Sequence, residues 1–309
     1  MILTVTLNPS LDRTVEIGKL ERGALIRAAA ARLDPGGKGV NVSRALLANG
    51  IASCAVVPYG GSEGEQLIAL LTAEGLDMAT VPIQGCTRSN ITLAEPDGTT
   101  TKINEPGTPL DGSELALVAQ AVLGAAHVAD WVVLSGSLPL DMPAEVYPSM
   151  CRAFAASGLR VAVDTSGPAL QTALKAGPDL VKPNREELAE VTGMRLACLG
   201  DVIEAAEKMR ASGARTVLAS LGADGALLLQ HDGIWYGNAR AEPRSSVGAG
   251  DALLAGFLSA GAHGPEALAT GLAWGAAAVA LPGSRMPGPE HINHDTVTIR
   301  PPDPLHPLY

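Results

Sequence analysis

Ser245-Ser246-Val247-Gly248-Ala249-Gly250-Asp251 runs directly into Ala252-Leu253-Leu254-Ala255-Gly256-Phe257-Leu258. The second half places Leu253, Leu254, Phe257 and Leu258 at helical spacing, one apolar stripe. The first half is a glycine-rich turn that opens this helix. Glycine lets a backbone approach a ligand closely. The free N–H groups of a helix start, at the positive end of its dipole, suit an anion. Asp251 falls in the first turn, beside the place the anion would take. Phosphoryl transfer needs both parts: one neutralises the moving phosphoryl group, the other orients a hydroxyl and takes its proton. The same residues also suit a glycine-capped helix in which Asp251 only complements the dipole, so the rest of the chain has to decide.

Working outward, the 309 residues suffice for one large α/β domain or two ordinary ones. Hydrophobic residues make up 47 % and aromatics 3 %, so the core must be built from Ala, Val, Leu and Ile, as in layered α/β packing. A net charge of −10 argues against nucleic acid or an anionic membrane as the main partner. Cys54, Cys86, Cys151 and Cys198 form no CxxC pair, which points to a reducing cytoplasm without a metal or disulfide framework. Met1 to Leu7 has no basic leader, and the Ala-rich run near Trp274 is broken by Gly275, Pro282 and Gly283, so neither a signal peptide nor a membrane span is expected.

Strands are expected at Ile2 to Leu7, Thr14 to Ile17, Cys54 to Val57, Trp131 to Leu134, Val161 to Val163, Leu180-Val181 and Val217 to Ala219. Helices are expected at Val40 to Leu47, Gly64 to Glu74, Ser113 to about Ala126, Pro143 to Ser157, after Pro168, Glu186 to Thr192, Val202 to Ser212, from Asp251, and Glu266 to Leu281. Leu25 to Leu33 is ambiguous: its alanines favour helix, and Pro35-Gly36-Gly37 ends it abruptly. Asn90 to Ala94 and Thr99 to Ile103 read as a hairpin around Pro96-Asp97-Gly98, and Ala226 to Gln230 and Ile234 to Gly237 as another. The first hairpin cannot easily stand alone and must lie on something, a lid over a site being one role. The tail Arg300 to Pro304 reads as exposed and extended. Strands alternating with helices through short links predict a mainly parallel, doubly wound sheet with its ligands at the carboxyl ends of the strands.

Several polar groups follow those strands. Gly36-Gly37-Lys38-Gly39-Val40-Asn41 is a second glycine-rich turn entering a helix; it suits a hydroxylated, phosphorylated ligand, or a tight loop with a solvated lysine. In Lys182-Pro183-Asn184-Arg185-Glu186-Glu187, Asn184 and Glu187 can converge on a hydrated Mg²⁺ or form a helix cap, and the two are compatible. Ser220-Leu221-Gly222-Ala223-Asp224-Gly225 by itself is only a turn. Arg88, Ser89, Asn90 and Lys102 read as a solvated hairpin face, and His291 and His294 as surface residues.

In this order, Asn8-Pro9-Ser10-Leu11-Asp12, Gly36-Gly37-Lys38-Gly39, Ser135-Gly136-Ser137-Leu138-Pro139, Lys182-Pro183-Asn184-x-x-Glu187 and Gly248-Ala249-Gly250-Asp251 resemble the PfkB (ribokinase-like) carbohydrate kinases over almost the whole chain. Thr6 to Asp12 and Lys102-Ile103-Asn104-Glu105-Pro106-Gly107 are similar to the branch that holds 1-phosphofructokinase and tagatose-6-phosphate kinase. The resemblance implies one ribokinase-like αβα domain over 1–309, with a small β lid from segments near 12–33 and 88–105. It implies ATP-dependent phosphorylation of a sugar phosphate, fructose 1-phosphate first, tagatose 6-phosphate or fructose 6-phosphate as rivals. Asp251 would be the general base, and the N–H groups of Ala249, Gly250 and Asp251, in the motif that Gly248 opens, would form the anion hole. Asp12, Gly37, Lys38, Asn41 and Ser137 would hold the sugar, and Lys38, Arg88 and Lys102 its existing phosphate. Lys182, Asn184, Ser220, Gly222 and Gly225 would lie along ATP, and Asn184 and Glu187 would order Mg²⁺ through water. A homodimer joined through the lid fits the family. A non-catalytic sugar-phosphate sensor is disfavoured by the intact Asp251, and a dinucleotide oxidoreductase by the lack of GxGxxG after the first strand. Leu281-Pro282-Gly283-Ser284 departs from the family, where a Thr- or Asn-bearing loop near adenine would be expected.

Overall fold

Along Trp131-Val132-Val133-Leu134 successive side chains enter two different cores, Val132 and Leu134 one, Trp131 and Val133 the other. A strand buried on both faces belongs inside a layered α/β structure. The computed structural model, which describes residues 1–309, has this form. Its strands are β1 (Ile2–Val5), β2 (Ser10–Glu16), β3 (Ala30–Gly36), β4 (Ser53–Tyr59), β5 (Met78–Pro82), β6 (Arg88–Ala94), β7 (Thr100–Asn104), β8 (Trp131–Ser135), β9 (Arg160–Asp164), β10 (Leu180–Val181), β11 (Thr216–Ser220), β12 (Ala226–Gln230), β13 (Gly233–Ala239) and β14 (Val297–Arg300). Its helices are α1 (Lys38–Ala48), α2 (Gly61–Ala73), α3 (Gly112–Ala125), α4 (Val146–Ala156), α5 (Gly167–Leu174), α6 (Arg185–Thr192), α7 (Leu199–Ala211), α8 (Ala249–Ser259) and α9 (Gly264–Val279). None is long and apolar enough to cross a membrane.

The large sheet has the order β14-β13-β12-β11-β10-β9-β8-β1-β4-β5. From β5 to β11 all neighbours are parallel; β12, β13 and β14 extend it antiparallel. One core joins the sheet to α3 through α7, the other joins it to α1, α8 and α9. Phe257 on α8 is fully buried, a burial that contributes roughly 1.5–3 kcal/mol. Helices α8 and α9 approach closely through glycine: a Cβ at Gly271 would lie 2.7 Å from the Leu253 carbonyl oxygen, and one at Gly256 2.8 Å from the Trp274 ring. This packing seats the start of α8 against the sheet edge where the parallel strands end.

The small sheet has the order β3-β2-β6-β7. The β6–β7 hairpin forms as expected, and it rests on β2, which it meets in parallel. The ambiguous stretch resolves into a loop to Ala29 and then strand β3, which continues through Pro35 to Gly36. Proline is tolerated there because β3 is an edge strand and no ladder N–H is needed on its outer side. Two outer strands had no clear signal. Both β5 and β14 lie at an edge of the large sheet, and their half-exposed residues lack the apolar run of a buried strand. Arg300 closes β14, and beyond Pro304 the chain docks on the start of α7, where Leu199 and Gly200 donate to the carbonyls of His306 and Pro304.

Candidate active site

The turn that opens α8 has the geometry an anion requires. Gly248 is the N-cap with φ 78°, in the left-handed region where a side chain is strained. No backbone carbonyl takes the N–H of Gly250 or Asp251, and that of Ala249 reaches only the Ser246 oxygen at 3.5 Å. Asp251 is buried and accepts a hydrogen bond from Asn41 Nδ2 at 2.9 Å. A Cβ on Gly250 would come within 3.3 Å of the Lys182 ammonium, so a cation stands beside the free N–H groups.

Behind this turn lies a charged cluster centred on Asp164, at the carboxyl end of β9. Lys38 Nζ donates to Asp164 Oδ1 at 2.8 Å and to Glu187 Oε1 at 3.4 Å. The Lys182 ammonium lies 3.1 Å from Asp164 Oδ2, close enough for an ion pair but without hydrogen-bond alignment. Burial pushes the Asp164 carboxyl up, and the Lys182 and Lys38 ammonium groups outweigh it and hold the group below the usual carboxylate range. Burial acts to lower Lys38, yet Asp164, Glu187 and Asp251 keep it above an ordinary lysine. Asp251 goes the other way: burial and then the Asp164 charge push it up to about 6, against the pull of Lys182, Lys38 and the Asn41 hydrogen bond. Two carboxylates in one cluster are thereby driven apart, one kept ionised and one able to take up a proton near neutrality.

On the side of the small sheet, Asp12 Oδ1 accepts from Ser10 Oγ at 2.7 Å and from Asn90 Nδ2 at 2.9 Å. Arg88, at the start of β6, donates to the carbonyls of Asn8 and Glu105 at 3.3 and 3.1 Å. Burial lowers its pKa, and Asp12 and Glu105 partly restore it. Asn8 donates to the Pro106 carbonyl and, at 3.4 Å, contacts Ser137 Oγ, which ties Ser137 to the same mouth. Gly37 is the N-cap of α1 and presents Lys38 and Asn41 in its first turn. Lys102 is not brought into this group: it is exposed on β7 opposite Thr92, four residues and about 13 Å along the strand from Arg88.

On the other side, Asn184 and Glu187 form the expected cap. Asn184 Oδ1 takes the Glu187 N–H at 2.7 Å, and Glu187 Oε2 takes the Asn184 N–H at 2.8 Å. Asn184 is bridged to Ser220, and Gly222 and Gly225 turn the chain between β11 and β12 with positive φ. The sequence reading gives Asp164 and Asn8 no role of their own in the site. Asp164 was legible as a carboxylate directly after an apolar strand, and Asn8 as the polar start of a break after β1.

Residues 5–291 match the model of the pfkB family of carbohydrate kinases. The chain belongs to this family. The 1-phosphofructokinase of Rhodobacter capsulatus is 39 % identical over 298 residues, 94 % of each chain. That of Bacillus subtilis is 36 % identical over 260 residues, 84 % of this chain and 85 % of the relative. Among solved structures, Escherichia coli phosphofructokinase-2 in complex with fructose-6-phosphate superposes with a TM-score of 0.86 at 32 % identity, covering 94 % of this chain and 96 % of that one. The pfkB kinase described here is thus an ATP-dependent sugar-phosphate kinase on a ribokinase-like fold, and the cluster around Asp251 lies where its parallel strands end.

Proposed function

We propose that this kinase transfers the γ-phosphoryl group of ATP to the C6 hydroxyl of fructose 1-phosphate, giving fructose 1,6-bisphosphate. The observation that carries the reading is the pairing of a buried carboxylate poised near 6 with unclaimed N–H groups in the same helical turn. Asp251 accepts the hydroxyl proton as the oxygen attacks. The N–H groups of Ala249, Gly250 and Asp251, on the turn set by Gly248, take the charge of the transferring group. Lys182 and Lys38, both held by Asp164, flank that group. Asp12, Gly37, Asn41 and Ser137 hold the sugar hydroxyls, and Arg88 takes the existing phosphate, while Lys102, farther along the same small sheet, stays outside. Ser220, Gly222 and Gly225 line the nucleotide beside Asn184. The choice of acceptor rests on the two relatives named 1-phosphofructokinase.

Mg²⁺ fits these residues as an ion carried by the nucleotide. No cluster of three or more His, Cys, Asp or Glu is present. Within the Asn184–Glu187 cap, however, Glu187 Oε1 keeps only the 3.4 Å contact with Lys38. That oxygen and the Asn184 amide would hold water on the ion, which when bound neutralises phosphate charge. A homodimer through the small sheet suits the exposure of Leu25 and Ile103, and a cytoplasmic setting suits the four free thiols.

The direct check is ADP release from MgATP with fructose 1-phosphate, for the wild type and Asp251→Asn. Turnover should fall roughly 10²–10⁴-fold in the variant while sugar-phosphate binding is kept. Near-normal turnover would remove Asp251 as the base.

A further inference from the structure

Arg44 lies on α1 one turn beyond Asn41, and its side chain is buried, 9 % exposed. Its Nε and Nη2 grip both oxygens of Glu74 at 2.7 and 2.8 Å, a bidentate pair at the C-cap of α2. The remaining Nη1 is shared. It donates to the Ser284 carbonyl at 3.1 Å and to Asn41 Oδ1 at 3.4 Å.

A guanidinium has only donors. An amide beside it must turn its oxygen toward it, and its nitrogen then points away. In Asn41 that nitrogen is the one that donates to Asp251 at 2.9 Å. The Ser284 carbonyl belongs to Leu281-Pro282-Gly283-Ser284, the stretch that departs from the family. Two residues on, Met286 lies against the catalytic turn, its Cε within 2.6 Å of where a Cβ on Gly248 would be. Asn49, at the other end of α1, holds the same loop through the Pro287 carbonyl at 2.8 Å.

We propose that Arg44 is a positioning residue for phosphoryl transfer: it fixes the Asn41 amide with Nδ2 toward Asp251 and, through Ser284, seats the loop that packs on the Gly248 turn. Asp251 is faced by Lys38 and Asn41 from α1, Asp164 from the end of β9, and Lys182 from after β10. Asn41 is the one of these that can reverse its polarity by rotating. Without Arg44 its oxygen can face the Asp251 carboxylate, which disfavours the ionised form. Glu74 already offsets the Arg44 charge, so the effect on Asp251 passes through the amide.

The inference rests on Asp251 being the base. Its test is the pH profile of kcat/KM for the best sugar-phosphate acceptor in the wild type, Arg44→Met and Arg44→Lys, with Asp251→Asn beside them. The acid limb in Arg44→Met should move upward by about half a pH unit or more, about threefold in rate on that limb. KM for MgATP should stay within about twofold. Arg44→Lys, able to reach only one acceptor, should fall between, and it carries the test alone if Arg44→Met does not fold. A folded variant whose acid limb stays in the wild-type position, however slow it is, overturns the proposal. Near-normal turnover in Asp251→Asn would instead overturn the base, so the two failures are distinct.

Discussion

Lys182 and Asp164 form a buried ion pair, 3.1 Å apart, with 4 % and 0 % of their side chains exposed. The same carboxylate holds Lys38 on its other oxygen. Without it Lys182 would be an unpaired charge cut off from water, whereas Lys38 would keep only its longer contact with Glu187.

Asp164→Asn is therefore expected to cost about 3–5 kcal/mol of stability, measured as a lower urea midpoint. It should also move the acid limb of activity downward, because the Asp164 charge is, after burial, what raises Asp251. An unchanged midpoint would contradict the pairing.

The wild-type enzyme should gain kcat/KM as pH rises through about 6, the value at which Asp251 ionises. The same group leaves a stability signature. Its folded pKa lies above the unfolded 3.8, so the folded state holds the proton more tightly, and stability is lost between about pH 4 and 6 as the group ionises. Asp251→Asn removes that loss. It should be more stable than the wild type at pH 8, by on the order of 2–3 kcal/mol, and show no such gain at pH 4. Equal thermal shifts at both pH values would count against a raised Asp251.

Much of this was readable beforehand. Gly248 to Asp251 at the head of an apolar stripe announced the glycine turn that opens α8, and regular alternation from Ser113 announced the parallel sheet. What the sequence left open was decided by contacts far apart in the chain. Strand β3 passes through a proline because it lies on an edge, which no short window of sequence reveals. Asp164 was invisible as a hub because its partners, Lys38 and Lys182, come from segments 126 and 18 residues away. The cap at Asn184 and Glu187 could be read from spacing, but the contact of its second carboxylate oxygen with Lys38, 149 residues away, could not.

Gly248→Ala should be damaging out of proportion to its size. It imposes a left-handed conformation that costs roughly 1–2 kcal/mol for a residue with a Cβ, and that Cβ would meet Met286. We expect kcat to fall and the sugar-phosphate KM to change little, the pattern that follows from the proposed role of the turn in holding the moving phosphoryl group. Steady-state kinetics that showed the reverse pattern would reassign the turn to sugar binding.

Lys38→Met separates two roles for one cation. Its ammonium is held by Asp164 and by Glu187, which caps α6 with Asn184, the side proposed above for the nucleotide. The expected result is a loss mainly in kcat, with the acceptor KM nearly preserved. A selective rise in acceptor KM would instead place Lys38 on the sugar's own phosphate.

The most direct test of the whole account is ADP release with MgATP and four acceptors: fructose 1-phosphate, fructose 6-phosphate, tagatose 6-phosphate and unphosphorylated fructose. The account predicts the highest kcat/KM for fructose 1-phosphate, by about tenfold or more over each of the others. A preference for fructose 6-phosphate or tagatose 6-phosphate would contradict the acceptor assignment, and turnover with none of the four would contradict the kinase site built around Asp251.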